Sequence, residues 1–422
     1  MERKRVVITG ISAISGNSNT KDCLFKNLLE GTIFVASVPD CFEKNYTFRS
    51  RFFVPFPKIN IGDYGFHNKL NLLMEENVKI GIVCTKEALL DAGFQLKENN
   101  KTGFQIEENE SPGIIIGVGI SSLKTAFTSY VQHAAHHLQN EELKDYRYNR
   151  MVIPLTMPNS VAAWISIIFG TSDQCHTINA SCASGNHAIG EAFGKIKNGE
   201  SKFMITGGVE CLMDEFGAMM RGFDMLGALT LSKNGQPESF SENRSGFLFS
   251  EGAGCILILE EMEHALARGA QIYAEITDCF FNSDHHNILQ MEESGMQIKK
   301  LLRQASENKK IDYLNAHGTA TTNNDSIEAA AIKEIFGSVK NQPLINSTKS
   351  ILGHSIGASA AIEAAVTAIS IKQQCVHLNL SENNIEGLNI INKSCSADIN
   401  YALSTSYGFG GHNSAVLFKK FV

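Results

Sequence analysis

Residues 177–190 read T-I-N-A-S-C-A-S-G-N-H-A-I-G, and this stretch decides the fold. Its first residues are apolar or β-branched and predict a strand that ends near Ile178. A tight turn of small residues follows, and the residues after Gly185 have the small-residue composition of a closely packed helix. Cys182 is therefore predicted to lie where a strand gives way to a helix.

Cys182 is a candidate nucleophile because of this position. The positive end of the helix macrodipole stabilises a thiolate relative to a thiol. A free cysteine has a pKa of about 8.5, so only about 3 % of it is thiolate at pH 7, and a lower pKa makes the nucleophile abundant. We expect such a lowering here. The alternative is that Cys182 is a buried small hydrophobic residue, as most free cysteines are.

Strand and helix patterns alternate along the whole chain of 422 residues. Residues 113–117 and 272–278 have the apolar, β-branched composition of strands. Residues 78–92 and 325–335 have amphipathic or small-residue helical patterns. Such alternation predicts a layered α/β fold with largely buried sheets.

An internal repeat is visible in this pattern. I-N-A-S-C at residues 178–182 resembles I-N-S-T-K at residues 345–349, and a helix of small residues follows each. Further on, G-A-G-C-I-L-I at residues 252–258 and G-G-H-N-S-A-V-L-F at residues 410–418 are Gly-rich entries to apolar strands. The spacing between paired features is similar, so we predict two homologous halves that meet near residue 260. Chance similarity among small residues is the alternative.

Composition excludes several classes of function. The formal net charge of −7 argues against nucleic acid, because phosphate binding needs a basic face. The longest apolar run, near residues 161–169, is far too short to span a membrane. The ten cysteines include no C-x-x-C pair, which suits reduced thiols in the cytoplasm better than disulfides or a zinc site.

Two further polar clusters follow predicted strands. One is N-A-H-G-T-A-T at residues 315–321, and the other is S-T-K-S-I-L-G-H at residues 347–354. Loops that follow the strands of a layered α/β fold commonly carry the active site. The histidines and the lysine of these clusters are therefore candidate site residues.

With these motifs in order, the chain resembles the β-ketoacyl-[acyl-carrier-protein] synthase II-like condensing enzymes, which include the ketosynthase subunits of type II polyketide synthases. The likeness runs from V-V-I-T-G-I at the N-terminus to Y-G-F-G-G-H-N-S near the C-terminus. It implies a thiolase fold, in which two duplicated halves form five alternating α-β-α-β-α layers. Residues 1–260 would be the half with the nucleophile, and residues 261–422 the half with the His/His/Lys cluster.

The resemblance also implies roles for single residues. Cys182 would take the acyl chain as a thioester. His317 and His354 would donate hydrogen bonds to the carbonyl oxygen of a malonyl thioester, whose decarboxylation leaves an enolate. Lys349 would sit beside the histidines and hold their electrostatics, paired with Glu328 as a buried acid.

The remaining site residues lie around this centre. Phe409, in a glycine-flanked loop, would gate the site and add its backbone N–H to an oxyanion hole. Thr319 and Thr321 would bind the phosphopantetheine arm, Phe247 would form an apolar wall near the malonyl carboxylate, and Ile120 would line the acyl tunnel. For the last four residues, simple packing is the alternative.

Together these residues imply a decarboxylating Claisen condensation with a carrier-bound malonyl thioester and an acyl chain held on Cys182. No metal or organic cofactor is implied. The motifs do not separate fatty-acid from polyketide synthesis, although Asn324-Asp325 and S-E-G at residues 250–252 lean slightly towards polyketides. A cysteine-dependent thioester hydrolase and a non-catalytic chain-length partner subunit are the alternatives.

The implied partners are an acyl carrier protein and a second ketosynthase-like chain, in a homodimer or a heterodimer. Residues 68–74 carry leucines at two positions where the family presents basic residues, and Gly227 stands where an arginine is common. We expect a partner subunit to cover the leucines. The carrier would then be met through Lys69, Arg147 and Arg150, or through basic residues of that partner.

Overall fold

The strands that the structure describes form one large sheet and three small ones. The structure, a computed structural model, describes residues 3–99, 103–107, 111–121, 123–137 and 149–422. The strands, in chain order, are β1 (Val6–Ser15), β2 (Ala36–Ser37), β3 (Phe52–Val54), β4 (Leu96–Asn99), β5 (Gly103–Ile106), β6 (Gly113–Gly117), β7 (Cys175–Ile178), β8 (Phe203–Cys211), β9 (Phe249–Ser250), β10 (Gly252–Glu261), β11 (Ala274–Ser283), β12 (Tyr313–Asn315), β13 (Leu344–Asn346), β14 (Cys375–Val376), β15 (Cys395–Ser396), β16 (Tyr401–Gly408) and β17 (His412–Lys419).

The helices flank the large sheet. In chain order they are α1 (Lys21–Glu30), α2 (Glu76–Asp91), α3 (Lys124–His137), α4 (Val152–Thr156), α5 (Ser160–Phe169), α6 (Ser184–Lys197), α7 (Ala218–Met225), α8 (Met262–Ala267), α9 (Met296–Ser306), α10 (Thr322–Phe336), α11 (Lys349–Leu352) and α12 (Ser359–Gln373).

The large sheet contains the same motif twice. Its order is β13-β12-β16-β17-β11-β1-β10-β8-β6-β7. If the strands of each half are renumbered from one, both halves read 3-2-4-5-1, and the matching neighbours are parallel or antiparallel alike. The two motifs meet where β1 pairs antiparallel with β11 through Val6, Val7 and Ile8. The predicted repeat is therefore present in the topology, while the exact division at residue 260 stays a prediction.

Five layers follow from how the helices pack. Helices α2 and α5 cover the outer face of the first motif, and α9 and α10 cover the outer face of the second. Helices α6 and α12 contact each other between the two motifs. A Cβ at Gly185 would lie 2.5 Å from the backbone nitrogen of Ala361, so only small residues permit this approach. The thiolase architecture and the α/β class are confirmed.

Most predicted elements have nearly the expected bounds. The strand over residues 113–117 is β6, and the helix expected over residues 78–92 is α2. The strand expected over residues 272–278 begins two residues later and continues to Ser283, because it pairs with β17 as far as His412. None of the helices among the described residues is long and apolar enough to cross a membrane.

The fold gathers three loops at one place. Strands β12 and β13 are parallel neighbours, so the polar segments that follow them emerge at the same edge of the sheet. The turn after β7 comes from the other motif and meets the C-terminal motif where it contacts β16 and β17. Residues from both halves therefore share one site.

Candidate active site

Cys182 occupies the strand-to-helix position that the sequence predicts. Strand β7 ends at Ile178, residues Ser181–Ala183 form a single 3-10 turn, and α6 begins at Ser184. Ser181 has a φ of 52°, in the left-handed region that few residues other than glycine adopt. The Ser184 hydroxyl stabilises the turn with two hydrogen bonds, because it donates to the carbonyl oxygen of Ser181 and accepts from the N–H of Ala180. The thiol is thus held on a strained, well-bonded turn.

His354 is the immediate neighbour of this thiol. Its Nε2 lies 3.2 Å from the Cys182 Sγ, and its Nδ1 lies 2.9 Å from the Ser359 hydroxyl. Contacts at both nitrogens fix the orientation of the ring. The Phe247 ring packs edge-on against the same imidazole, with 5.1 Å between ring centroids.

His317 is held from behind by Lys349. The Lys349 Nζ lies 3.2 Å from His317 Nδ1 and 2.9 Å from the His317 carbonyl oxygen. An ammonium group can only donate hydrogen bonds, so Nδ1 accepts and the proton of the neutral ring resides on Nε2. The two imidazoles are nearly perpendicular, with 5.7 Å between their centroids. His317 therefore offers an N–H donor on the side away from the lysine.

The predicted pairing of Lys349 with Glu328 is wrong. Lys349 forms its ion pair with Glu363, and both side chains are almost completely buried. Glu328 instead accepts the backbone N–H groups of His317 and Gly318, each at 2.9 Å. Burial raises the pKa of the Glu328 carboxyl to about 7. Glu328 therefore fixes the backbone of the loop that carries His317, and Glu363 neutralises the charge of Lys349.

A sequence signal for Glu363 was available. The glutamate lies within S-A-A-I-E-A-A-V-T-A-I at residues 359–369, an otherwise small and apolar helix. Glutamate is almost never fully buried without a partner. A lone acid in such a helix therefore indicates a buried cation nearby, and Lys349 is that cation.

The electrostatics of the site favour neutral groups. Burial, reinforced by the charge of Lys349, holds the pKa of both His317 and His354 well below the usual 6.5. Burial also raises the pKa of the Cys182 thiol, although the Ser181 hydroxyl, the charge of Lys349 and the N–H of Phe409 oppose that rise. The expected lowering of the Cys182 pKa is thus wrong, because desolvation of a side chain that is 4 % exposed outweighs the turn's donors.

A cavity of about 580 Å³ brings most of the predicted site residues together. Its walls include seven of them: Cys182, Phe247, His317, Thr319, Thr321, His354 and Phe409. The hydroxyls of Thr319 and Thr321 lie 2.9 Å apart. Lys349 and Glu328 stand behind the histidines, and Ile120 packs against the apolar cluster that contains Cys182.

Other residues of the cavity wall were not predicted. They include Asn287, Gln290, Asn324 and Tyr407, and the Tyr407 ring lies 5.5 Å from that of His317. The first two lie in a loop whose polar composition gives no sign of its position. Among the described residues, no three His, Cys, Asp or Glu side chains are grouped so as to hold a metal ion.

The raised pKa of the Cys182 thiol predicts its reactivity. A thiol whose pKa is raised above its ordinary value is largely protonated at pH 7, so its thiolate fraction should rise about tenfold per pH unit from pH 7 to 8. Alkylation of Cys182 by iodoacetamide should follow this rise when it is measured by mass spectrometry of the Cys182 peptide. Cys41, which is exposed, serves as the accessible thiol in the same digest. A Cys182 rate that is already constant below pH 8 would contradict the raised pKa.

Comparison with known proteins agrees with this geometry. The N-terminal domain model of the β-ketoacyl synthases matches residues 3–264, and the C-terminal domain model matches residues 273–382. The 3-oxoacyl-[acyl-carrier-protein] synthase 2 of Staphylococcus aureus (strain COL) is 32 % identical over 431 residues, covering 100 % of this chain and 99 % of the relative. The enzyme of the same name from Vibrio harveyi is 32 % identical over 435 residues, with 100 % and 99 % covered.

A solved structure is similar over the same extent. The β-ketoacyl synthase from Burkholderia phymatum STM815 superposes with a TM-score of 0.83 and 28 % identity, covering 99 % of this chain and 100 % of the other. The two domain matches and the relatives similar over their full length agree with the geometry of the site. The chain belongs to the β-ketoacyl synthase family of condensing enzymes.

Proposed function

We propose that this chain catalyses a decarboxylating Claisen condensation between an acyl group on Cys182 and a malonyl thioester delivered by an acyl carrier protein. One observation carries the proposal: a thiol and two neutral imidazoles, one 3.2 Å from the sulfur, face the same cavity. A hydrolase needs one general base to activate water, whereas two neutral N–H donors suit a developing enolate oxygen. Family membership likewise disfavours the hydrolase, and the presence of Cys182 disfavours the non-catalytic subunit.

In the first half-reaction, Cys182 becomes acylated. Its sulfur attacks the carbonyl carbon of the incoming acyl thioester, and the carrier's thiol leaves with the proton that Cys182 gives up. The tetrahedral oxyanion is stabilised by the backbone N–H groups of Cys182 and Phe409. Ile120 contributes to the apolar wall for the acyl chain.

In the second half-reaction, the malonyl thioester loses its carboxylate as carbon dioxide. The electron pair of the broken C–C bond forms an enolate, and His317 and His354 donate hydrogen bonds to its oxygen. The enolate carbon then attacks the acyl carbonyl, and the Cys182 sulfur leaves. Phe247 presents an apolar wall where the malonyl carboxylate loses its charge, and Thr319 and Thr321 bind the pantetheine arm.

Lys349 and Glu363 act through the histidines. The buried ammonium group keeps both imidazoles neutral, because a second positive charge next to it is unfavourable. A neutral His317 with its proton on Nε2 is a donor throughout the physiological pH range. Both carbon units arrive as activated thioesters, so we propose that no metal or organic cofactor takes part.

The finer substrate class is also a proposal. Three of the residues that slightly favour polyketide synthesis differ in position. Asp325 and Glu251 accept hydrogen bonds from backbone N–H groups, whereas Asn324 lies in the cavity wall. We keep a polyketide chain as the finer proposal on the strength of Asn324. Since the ten cysteines are all free thiols, we place the enzyme in the reducing cytoplasm.

The carrier protein, we propose, docks beside Gly227 at the rim of the cavity. Gly227 has a φ of 70°, and the Arg49 Nη2 lies 3.6 Å from where a Cβ at this position would be. Arg49 therefore supplies a guanidinium group where the family commonly has an arginine at the aligned position. Arg221 is exposed too and stacks over the Tyr46 ring, 4.6 Å from its centroid.

This rim suits an acidic partner that also has apolar side chains. Met225 and Leu226 are 65 % and 52 % exposed next to the two arginines. The rim differs from the dock that the sequence suggested. Arg147 lies outside the described residues, and of the leucines in residues 68–74, Leu70 is buried in the core whereas Leu72 is 85 % exposed.

A dimer is the expected assembly, and we propose that it forms across β7. This strand is the edge of the large sheet and pairs only with β6 among the described strands. Its free backbone groups can pair with a second chain. Ile167 and Ile153, in the preceding helices, are 57 % and 65 % exposed. The second chain is a further copy or a related ketosynthase-like subunit.

The proposed reaction predicts different losses for three variants. Cys182→Ala should form no acyl adduct, because the nucleophile is gone. His317→Ala should still form the adduct but release carbon dioxide from malonyl carrier protein at least about a hundredfold more slowly, since one oxyanion donor is missing. His354→Ala should lose decarboxylation similarly and also slow acylation, because its Nε2 touches the sulfur. Intact-protein mass spectrometry and carbon dioxide release measure the two steps. A stable adduct on Cys182→Ala would exclude the mechanism.

The proposed dock predicts a loss specific to carrier-bound substrates. Arg221→Glu should raise KM for an acyl carrier protein about fivefold, as a change of about 1 kcal/mol at a rim charge would. Its kinetics with an acyl-N-acetylcysteamine thioester, which has no carrier, should not change. Arg303→Glu, at an exposed position paired with Glu334, is the control and should alter neither substrate. Equal effects on both substrates would place the dock elsewhere.

The proposed assembly predicts the mass of the purified chain. Sedimentation of the chain alone should give a dimer if β7 pairs with a second copy. A poorly soluble monomer that becomes a stable complex only with a related subunit would indicate the heterodimer. A well-behaved, fully active monomer would show that neither form is required.

A further inference from the structure

Glu210 is a fully buried carboxylate that the proposed chemistry does not use. It lies near the end of β8 and is 0 % exposed. Its Oε2 accepts the backbone N–H groups of Gly119, Ile120 and Gly357 at 2.9, 3.0 and 3.1 Å, and its Oε1 accepts that of Ser121 at 3.0 Å. Four backbone donors thus converge on one side chain.

These donors come from both halves of the molecule. Residues 119–121 follow β6 in the first half, and Gly357 follows His354 in the second. The two loops touch through their backbones around the carboxylate. A Cβ at Gly357 would lie 2.2 Å from the Gly119 nitrogen, and a Cβ at Gly119 would lie 2.9 Å from the Gly357 nitrogen. The Glu210 carboxylate therefore bridges two loops whose backbones contact each other directly at Gly119 and Gly357.

Both loops are strained next to these bonds. Ser121 has a φ of 74° and Ile356 has a φ of 46°, although neither is a glycine. A left-handed conformation is especially unfavourable for a β-branched residue such as isoleucine. Strained residues persist where surrounding contacts determine their conformation, and the N–H groups of Ser121 and Gly357 are bound by Glu210.

The strained loops carry two apolar side chains of the site. Ile356 lies in the wall of the cavity and packs in the same cluster as Cys182. Ile120 packs against that cluster from the other loop. A shift of either loop would therefore change the space next to the sulfur where an acyl chain lies.

We propose that Glu210 is a positioning residue that holds Ile120 and Ile356 as the two walls of the acyl site and so determines which chain lengths Cys182 accepts. This inference rests on the proposed function, because it needs an acyl chain on Cys182. It assigns to Glu210 a role in selectivity that acts through the two isoleucines.

The test compares acylation of Cys182 by octanoyl and acetyl thioesters. Glu210→Gln keeps the size of the side chain but replaces one acceptor oxygen with a donor NH₂, so at least one backbone N–H loses its partner. The ratio of the octanoyl to the acetyl acylation rate should change by about fivefold or more. Changing the room in an apolar pocket by about one methylene group alters selectivity by at least this much. Intact-protein mass spectrometry over time gives both rates.

A matched control separates selectivity from stability. Glu260 is also 0 % exposed and lies on β10, at the end of the β8–β10 pair opposite to Glu210. It is bound by Arg268 and His264, away from the site. Glu260→Gln should lower the thermal midpoint but leave the octanoyl-to-acetyl ratio within twofold of the wild-type value.

A second variant covers the case in which Glu210→Gln does not fold. Gly357→Ala keeps the carboxylate but forces the two loops apart, so it should change the ratio as well. Unchanged ratios in the folded variants, with both rates reduced equally, would overturn the inference and leave the proposed function intact. If the wild-type chain forms no acyl adduct with either thioester, the proposed function fails and this inference fails with it.

Discussion

The ion pair between Lys349 and Glu363 is the interaction on which the site depends. Both charges are removed from water, and a buried ion is tolerated only when hydrogen bonds satisfy it fully. Three acceptors surround the lysine ammonium: Glu363, the His317 ring and the His317 carbonyl oxygen. The pair therefore fixes the ring, its tautomer and the loop that carries it. Removing either partner would leave a buried charge alone, and this makes the arrangement all-or-none.

The ion pair lies where two helices of different halves are brought close. Glu363 is on α12, which packs against α6, the helix that begins just after Cys182. Small residues at the crossing allow the backbones to approach, as at Gly185 and Ala361. The same close packing buries the thiol and the imidazoles, none of which is more than 4 % exposed. The close crossing of α6 and α12 therefore also sets the electrostatics of the site. A looser crossing would hydrate Lys349 and Glu363 and weaken the effect of their charges on the histidines.

Burial of the site also determines the protonation state of the nucleophile. Burial favours the neutral forms of Cys182, His317 and His354. In the proposed reaction, neutral imidazoles remain donors to an oxyanion, and the protonated thiol is stable until its sulfur meets the carbonyl carbon of a thioester. Neutral Cys182, His317 and His354 therefore suit a reaction in which negative charge is transient, such as one that passes through an enolate. A permanently charged thiolate–imidazolium pair would be stabilised by a wetter environment than this one.

The order of the elements, the duplication and the identity of the polar clusters can be predicted from the sequence. Periodicity and small-residue runs are local properties, so α2, β6 and the turn at Cys182 were predicted close to their observed bounds. Motifs that follow strands are equally local, and they place His317 and His354 among the candidate site residues.

Which charges meet, and how strongly burial shifts the pKa of each group, depends on tertiary contacts. Glu328 lies near His317 in the chain, and the family resemblance implies that it pairs with Lys349, but the lysine contacts Glu363 on α12 instead. The raised pKa of the Cys182 thiol, the four backbone donors around Glu210 and the position of Arg49 beside Gly227 likewise depend on contacts between distant segments. Distances between such segments are fixed by packing, because close-packed side chains and not sequence spacing set how near two groups can come.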